Sequence, residues 1–482
     1  MSPKQMLSIH LSRRRFLKQA ALTGAALTVP FVCGRFADAA GGIDPSAVKK
    51  FAASLNGRLI VPTDKDYEIA RKLWNGRFDK RPAMIARCAG TDDVRRAVEF
   101  ARKRLLQVSV RSGGHDAAGF SCNDGGMVLD LGSMNAIRVG PDRKTVSAAA
   151  GAHIGDLYRE VGNHHLAAVC GACPSVGLGG IITGGGEGWI MDKFGTASDN
   201  VLAAEVVTAD GQVIHADSNH SPDLFWAIRG GSGNFGVVTR FDLRAIPLEP
   251  ITKGSLAFPL SRYYDVCRYL DDFARTMPDE LSLAVPCGVP GPLDRGFVTV
   301  CYFGDPARAA RAIQPLRSFV KPLTDDIRVA PGTNGLMDTP EPPRGAISFW
   351  DAAFVRHLDV DVARVMHNSL HEAPRGYALF FVWIGGAAAR GTSAYPLRGG
   401  GFSLEYSAFA LNGATPSTAE KWVRELSSAL RPYSAGAYVN VVGVAGDAHE
   451  VFGANYNRLL AIKDKYDPTN FFHMNQNLKP TV

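Results

Sequence analysis

The chain has few cysteines for its length, eight in 482 residues, and none lies in a paired CxxC…CxxC spacing. That argues against a disulfide scaffold and against a structural zinc site. After residue 39 there is no run of about 18 uncharged apolar residues, the length a membrane-spanning helix needs. GxSxG, HExxH and the P-loop are all missing, so serine hydrolase, zincin and NTPase readings lose their usual support. No internal repeat or low-complexity tract stands out. One GxGxxG is present, Gly231-Ser232-Gly233-Asn234-Phe235-Gly236. A helical pattern precedes it and an alternating strand pattern follows. A dinucleotide fingerprint needs the reverse order.

Positive charge is scarcer than the formal net of +7 suggests. Residues 1–39 hold Lys4, Arg13, Arg14, Arg15, Lys18 and Arg35 against Asp38 alone, so +5 of the +7 sits there and +2 remains. A near-neutral remainder gives no electrostatic reason to expect nucleic acid or an anionic membrane as partner. The basic segment reads as an address. Ser12-Arg13-Arg14-Arg15-Phe16-Leu17-Lys18 fits the twin-arginine export pattern, with a mostly apolar stretch from Ala20 to Val32 and a small-residue site at Ala37-Asp38-Ala39. Cys33, after Pro30-Phe31-Val32, is a poor context for lipid attachment. The expectation is a leader over residues 1–39, passage through the twin-arginine translocase, and a periplasmic or secreted protein without stable membrane insertion. That route carries folded chains, chiefly those that load a cofactor first. Folding in a reducing compartment also argues against an extensive disulfide set.

What is abundant is glycine, 51 residues against a usual ~7%. Twenty-four of them fall within residues 111–236. Glycine lets backbone approach a ligand and frees N–H groups to meet anions. Four glycine clusters in one stretch predict a large, phosphate-bearing ligand.

The surrounding pattern is mixed α+β. Val94, Ala97, Val98, Ala101 and Leu105 keep one helical face after Thr91, with Asp92 and Asp93 at the positive end. Strands follow at Gln107 to Val110 and Met127 to Leu131, and a helix holds Ile154, Leu157, Tyr158 and Val161. Asn200 to Thr208 and Gln212 to Ala216 read as a hairpin. Ser221 reads as the cap of a short helix. Val237 to Ile246 alternates as a strand. After Leu248 the texture changes, with Pro247, Pro250 and Pro259 near the boundary. Helices fit Asp305 to Val320 and Ser417 to Leu430, and aromatic-rich strands fit Ala378 to Ile384 and Phe402 to Phe409.

Two loops carry the chemistry. Arg111-Ser112-Gly113-Gly114-His115-Asp116 directly follows a strand. Its amides suit a pyrophosphate, Arg111 either adds charge there or faces solvent, and His115 sits where an imidazole can meet the ligand. The second loop runs from Cys170 through Cys173-Pro174-Ser175-Val176-Gly177-Leu178-Gly179-Gly180 to Gly184-Gly185-Gly186-Glu187-Gly188. A glycine-rich loop rather than a helix-forming run follows Cys173, which argues against a dithiol redox pair at a helix N-terminus.

These loops resemble the berberine bridge enzyme-like family of FAD-linked oxidases. So do Asp199-Asn200-Val201, Asp223-Leu224-Phe225-Trp226 through Gly230-Gly231 to Asn234-Phe235-Gly236-Val237-Val238-Thr239, and the tail from Asn455-Tyr456-Asn457 through Tyr466-Asp467-Pro468-Thr469-Asn470 to Asn475-Gln476-Asn477. The likeness covers most of residues 77–248 and 438–478. It implies a vanillyl-alcohol oxidase type fold: two α+β subdomains holding FAD over 40–248, an α+β substrate domain with an antiparallel sheet over 249–436, and a return of 437–482 to the FAD domain.

The resemblance also implies roles. His115 would carry a bond to the flavin 8α-methyl and Cys173 one to flavin C6, making the FAD bicovalent, while Cys170 is a structural thiol. Arg111, Ser112, Gly113, Gly114 and Asp116 would line the cofactor. So would Val176, Gly177, Gly179, Gly180, Gly184 and Gly188, and Gly236, Val238, Asn475 and Gln476. Val176 matches the position associated with oxygen access. Tyr438, in Tyr438-Val439-Asn440, matches the general base; a phenol of ordinary pKa near ~10 must be tuned for that work. Val441 departs from the family's usual aromatic. Glu405, Tyr395, Trp383 and Asn440 are candidate substrate contacts, and no metal is implied. The expected reaction is oxidation of a carbohydrate or secondary-metabolite alcohol by hydride transfer, with O2 as acceptor giving H2O2. A dehydrogenase using another acceptor, and a flavin-holding protein without turnover, stay open.

Overall fold

The computed structural model describes residues 43–481, apart from residues 290, 338–340, 342–343, 412 and 444–445. Residues 1–39, the expected leader, lie outside the described residues. Three large sheets organise the rest, beside a two-stranded one that pairs Leu166–Ala167 with Ile246–Pro247.

The first orders as Arg58–Ile60, Met84–Arg87, Met127–Asp130 and Val108–Arg111. Its last three strands are parallel. Parallel strands need a crossover, and the helix Thr91–Lys103 supplies it. Val94, Ala97, Val98 and Ala101 bury one face, with Asp92 and Asp93 in the first turn and Arg102 and Lys103 in the last, matching the helix dipole. The strand Val108–Arg111 therefore delivers the loop Ser112–Asp116 at the carboxyl end of a parallel strand, where open α/β sheets bind ligands.

The second sheet is antiparallel: Ile137–Val139, Thr145–Ala149, Val237–Arg244, Val201–Val207 and Val213–Asp217. One apolar core joins residues of both sheets, among them Val98, Leu129, Val206 and Phe241.

The third sheet has eight strands between Ile251 and Phe409, and strand parity decides what each residue does. One face packs on the helices Tyr263–Thr276, Pro306–Val320, Val360–His371 and Pro416–Leu430 through Leu379, Phe381, Trp383, Phe402, Leu404 and Tyr406. The opposite face presents Trp350, Phe380, Val382 and Glu405 to a cavity. Trp383 is thus on the helix side, packed on Phe402 with ring centroids 5.0 Å apart. It is not a substrate contact, as its sequence position suggested.

Two local expectations change as well. A six-residue helix, Leu178–Thr183, stands where only a glycine loop was read. Leu178 and Ile182 bury one side of it, and the glycines that lower its intrinsic propensity hide that signal. That helix has Gly177 as its N-cap, so neither Cys173 nor the fully buried Cys170 sits at its N-terminus. Ser221 makes no capping hydrogen bond and sits at φ +49°.

The GxGxxG segment proves to be a seat for the C-terminus. Lys463 and Asp467 are fully buried, and the Lys463 Nζ donates to Asp467 Oδ2 (2.6 Å), to the Asn234 carbonyl and to the Phe472 carbonyl (both 2.8 Å). Asn234 in turn accepts from the Leu478 amide at 3.0 Å and donates to the Gln476 carbonyl at 3.2 Å. No helix of the described residues is long and apolar enough to cross a membrane, and Cys88, Cys122, Cys170, Cys173, Cys267 and Cys287 form no disulfide.

Candidate active site

The cavity has a volume of about 460 Å³ and draws its walls from all three large sheets and the C-terminal segment. Its floor is the two glycine loops, which touch backbone to backbone. A Cβ on Gly113 would lie 2.4 Å from the Gly177 nitrogen, and one on Gly177 would lie 2.1 Å from Ser112 Oγ. Gly188 is held in the same way, with the Cys170 carbonyl 1.8 Å from where its Cβ would be. These glycines are required by packing. Gly180 differs: a Cβ there would meet nothing within 4 Å, so its bareness leaves cavity space. Gly233 is similar, with its nearest neighbour 3.9 Å away.

His115 and Cys173 line the cavity together. The His115 ring stacks on Trp74 with centroids 5.1 Å apart, and its Nε2 lies 2.8 Å from Ser175 Oγ. Burial pushes its pKa down to about 4, so the imidazole is neutral at physiological pH. Cys173 Sγ donates to Glu341 Oε1 at 3.0 Å. Burial, then the hydrogen bond and charge of Glu341, push the thiol up to about 12. Val176, Gly177, Gly179, Gly236, Val238, Asn475 and Gln476 also reach the wall. Asp116 does too, its carboxylate accepting from the Phe120 amide at 2.8 Å; burial raises its pKa.

Arg111 does not face solvent and does not reach the cavity wall, and its Nη1 is buried without a hydrogen-bond partner. Its side chain is buried and paired with Asp130 at 2.9 Å, because it ends a strand whose neighbour ends in Asp130. Gly184 stands behind the wall, where a Cβ would overlap the Asn440 side chain at 2.0 Å.

The other end of the cavity holds Tyr438, Asn440, Glu187 and Glu405. The buried Tyr438 oxygen accepts from three N–H donors: Gly186 (3.1 Å), Glu187 (3.2 Å) and Asn440 Nδ2 (2.8 Å). Burial and then the Glu187 carboxyl push its pKa up, while the Asn440 and Glu187 donors pull it down. Burial raises Glu187 to about 7, and burial with the nearby Glu187 raises Glu405 well above the carboxylate range. Glu187 Oε2 is buried without a hydrogen-bond partner. Tyr395 is fully buried and does not reach the cavity, but it touches the site through Glu187. Glu187 lies in the Gly184–Gly188 run, whose glycines carry the stronger local signal. Glu341 and Trp74 also belong to the site, and no local motif signals either.

The residues present suit FAD. The amides of Gly113, Gly114 and His115 donate to no backbone carbonyl among the described residues, and amides of this kind can meet a pyrophosphate. Val108, Val110, Leu131 and Val238 give apolar walls, and Asn475 Oδ1 is buried without a partner.

Family profiles agree. One described as an FAD binding domain matches residues 82–217, and one described as berberine and berberine like matches residues 437–479. (R)-6-hydroxynicotine oxidase of Paenarthrobacter nicotinovorans is 32% identical over 468 residues, spanning 89% of this chain and 97% of that one. The chain belongs to the berberine bridge enzyme-like family of FAD-linked oxidoreductases. The crystal structure of 6-hydroxy-D-nicotine oxidase from Arthrobacter nicotinovorans superposes with a TM-score of 0.80 at 30% identity, covering 88% of this chain and 98% of that one. Xylooligosaccharide oxidase from Myceliophthora thermophila, solved with xylobiose, gives 0.80 at 22% identity over 90% of this chain and all of that one, which shows the shared fold. The α+β architecture expected from the sequence is that of this family. In this berberine bridge enzyme-like chain, the C-terminal match contains Tyr438, Asn440, Asn475 and Gln476, all of which line the cavity.

Proposed function

We propose that this protein is an exported oxidase that removes hydride from a hydroxyl-bearing carbon of a sugar or secondary-metabolite alcohol, with FAD held covalently by His115 and Cys173. The observation that carries this reading is the Tyr438 oxygen, set in a ring of three N–H donors at the cavity wall. These donors favour the charged form of the oxygen during proton transfer, against the burial and the Glu187 carboxyl that together hold the phenol above its ordinary pKa. Tyr438 takes the substrate hydroxyl proton, and Asn440 holds Tyr438 in place. FAD, when bound, would supply the hydride acceptor and the route of the electrons to dioxygen, with hydrogen peroxide as product. Val176 lines the wall beside Cys173, and a small branched side chain there leaves room for dioxygen.

No lysine or arginine lines the cavity among the described residues, so a carboxylate or phosphate substrate has no counter-charge. Glu187 and Glu405 instead suit a neutral or cationic molecule. That observation favours one second reading, an amine whose N–H-bearing carbon is oxidised, as the name of the hydroxynicotine oxidase relative suggests.

The test is a panel of sugars, alcohols and amines scored for hydrogen peroxide, with anaerobic bleaching of the flavin by each hit. Reoxidation by dioxygen no faster than that of free flavin would replace the oxidase by a dehydrogenase. Absence of bleaching by any compound would leave a flavin-holding protein. For export, replacing Arg13 and Arg14 by lysine is expected to keep the chain in the cytoplasm.

A further inference from the structure

Glu341 comes from the segment between Gly332–Leu336 and the strand Ser348–Val355 of the eight-stranded sheet. It reaches the glycine loops, more than 160 residues away in sequence. There it has three partners. Its Oε1 accepts from Cys173 Sγ and from the Ser175 amide, each at 3.0 Å. Its Oε2 accepts from Ser175 Oγ at 2.6 Å. Ser175 Oγ is also 2.8 Å from His115 Nε2.

The directions of these bonds follow from donor counting. Ser175 has one hydroxyl proton, and a carboxylate can only accept, so that proton goes to Glu341. Ser175 Oγ must then accept from His115, which places the imidazole proton on Nε2 and leaves the lone pair on Nδ1. One carboxylate thus terminates two proton paths: Cys173 S–H to Glu341 directly, and His115 Nε2–H to Glu341 through Ser175. His115 and Cys173 are also the two positions proposed to hold the flavin.

We propose that Glu341 is the proton acceptor for covalent attachment of the flavin, serving Cys173 directly and His115 through Ser175. The proposal rests on the covalent tethers of the preceding reading. At His115, an Nδ1–C bond forms to the 8α carbon as an 8α C–H bond breaks, and the Nε2 proton passes along Ser175 to Glu341. At Cys173, an S–C bond forms to C6 as the S–H and C6–H bonds break, and the thiol proton passes to Glu341. Each bond removes two protons and two electrons from the joined groups. The carbon-bound proton leaves to water, and the electron pair goes through the flavin ring to dioxygen, which becomes hydrogen peroxide. Glu341 is partly exposed, so it can return its proton to solvent between the two events. The buried thiol needs such an acceptor, because burial disfavours a free thiolate. The other ionisable neighbours of His115 are His153 and Arg344, and neither has a hydrogen bond with Ser175 or Cys173 among the described residues.

The experiment follows attachment rather than turnover. Full-length chain from riboflavin-limited cells is mixed with FAD, samples are acid-precipitated over time, and flavin is measured in the pellet and located by peptide mass. Glu341→Gln is expected to slow both bonds by about 100-fold or more at neutral pH, the usual scale of a general base. Its Cys173 bond is expected to recover only as pH rises past the ordinary thiol pKa of about 8.5, because burial still holds the thiol above that value, while the wild type changes little. Ser175→Ala should slow the His115 bond and spare the Cys173 bond. Glu341→Asp should restore part of the rate, and the Ser175 and Asp variants carry the test if Glu341→Gln fails to fold. A slow but pH-independent Glu341→Gln means a structural role and overturns the proposal, as does attachment at the wild-type rate. A wild type that releases all its flavin overturns the tether reading and this proposal with it. A wild type that keeps its flavin beside an unaffected Glu341→Gln overturns this proposal alone.

Discussion

The Tyr395 hydroxyl donates to Glu187 Oε1 at 2.7 Å, and its ring stands edge-on to that of Tyr438 with centroids 6.2 Å apart. A residue with no surface in the cavity thereby sets the charge of one that has. The hydrogen bond favours the Glu187 carboxylate, against the burial that raises its pKa to about 7. Removing it raises that pKa further. Tyr395→Phe is therefore expected to move the acidic limb of the kcat/KM profile to higher pH, by about one unit. An unmoved limb in a pH-rate series would show that Glu187 does not control the reaction.

Tyr438→Phe removes the proposed base but keeps the ring. It is expected to lower kcat by about 10²–10⁴-fold with flavin content unchanged, measured by rapid anaerobic mixing. If the rate falls less than about tenfold and the profile keeps a midpoint near that of Glu187, the carboxyl pair is the base instead.

The two kinds of glycine should separate. Gly177→Ala places a Cβ 2.1 Å from Ser112 Oγ and 2.2 Å from the Gly113 nitrogen, so the loops must part and the melting temperature should drop. Gly180→Leu meets no atom within 4 Å at its Cβ and lies in a helix, where leucine is the better former. Its melting temperature should hold, while its side chain takes cofactor space and FAD retention falls at least about tenfold. Equal behaviour of the two variants in paired melts and flavin assays would contradict the reading of the cavity.

Lys463→Met would leave Asp467 buried without its cation. A loss of about 3–5 kcal/mol is expected, read by denaturant titration. Lys463→Met with Asp467→Leu should cost less than the single change, because no uncompensated charge remains. A double variant as unstable as the single one would locate the loss in hydrogen bonds rather than in the charge: those of Lys463 to the Asn234 and Phe472 carbonyls, and those of the Phe471 and Phe472 amides to Asp467.

The fold class and the cofactor were legible in the sequence because glycine clusters, strand alternation and long loop motifs are local signals. Helix Thr91–Lys103 and the hairpin Val201–Val207 with Val213–Asp217 carry clear periodicity. The substrate wall was harder. Glu405 and Trp383 lie on neighbouring strands, and only the register puts one in the cavity and the other under the helices. Phe380 and Val382, on Trp383's own strand, line the wall in its place. Arg111 looked like a ligand for phosphate because nothing local announces Asp130. Glu341 could not be found by motif at all, since its partners meet it only through tertiary structure.

The central claim is that His115 and Cys173 hold FAD in this cavity. It is tested most directly by acid denaturation of the purified chain, followed by intact mass. The account predicts that the yellow colour and one FAD stay with the unfolded wild type, and that His115→Ala with Cys173→Ala releases them. Flavin set free from the wild type, or flavin still attached in the double variant, would contradict it.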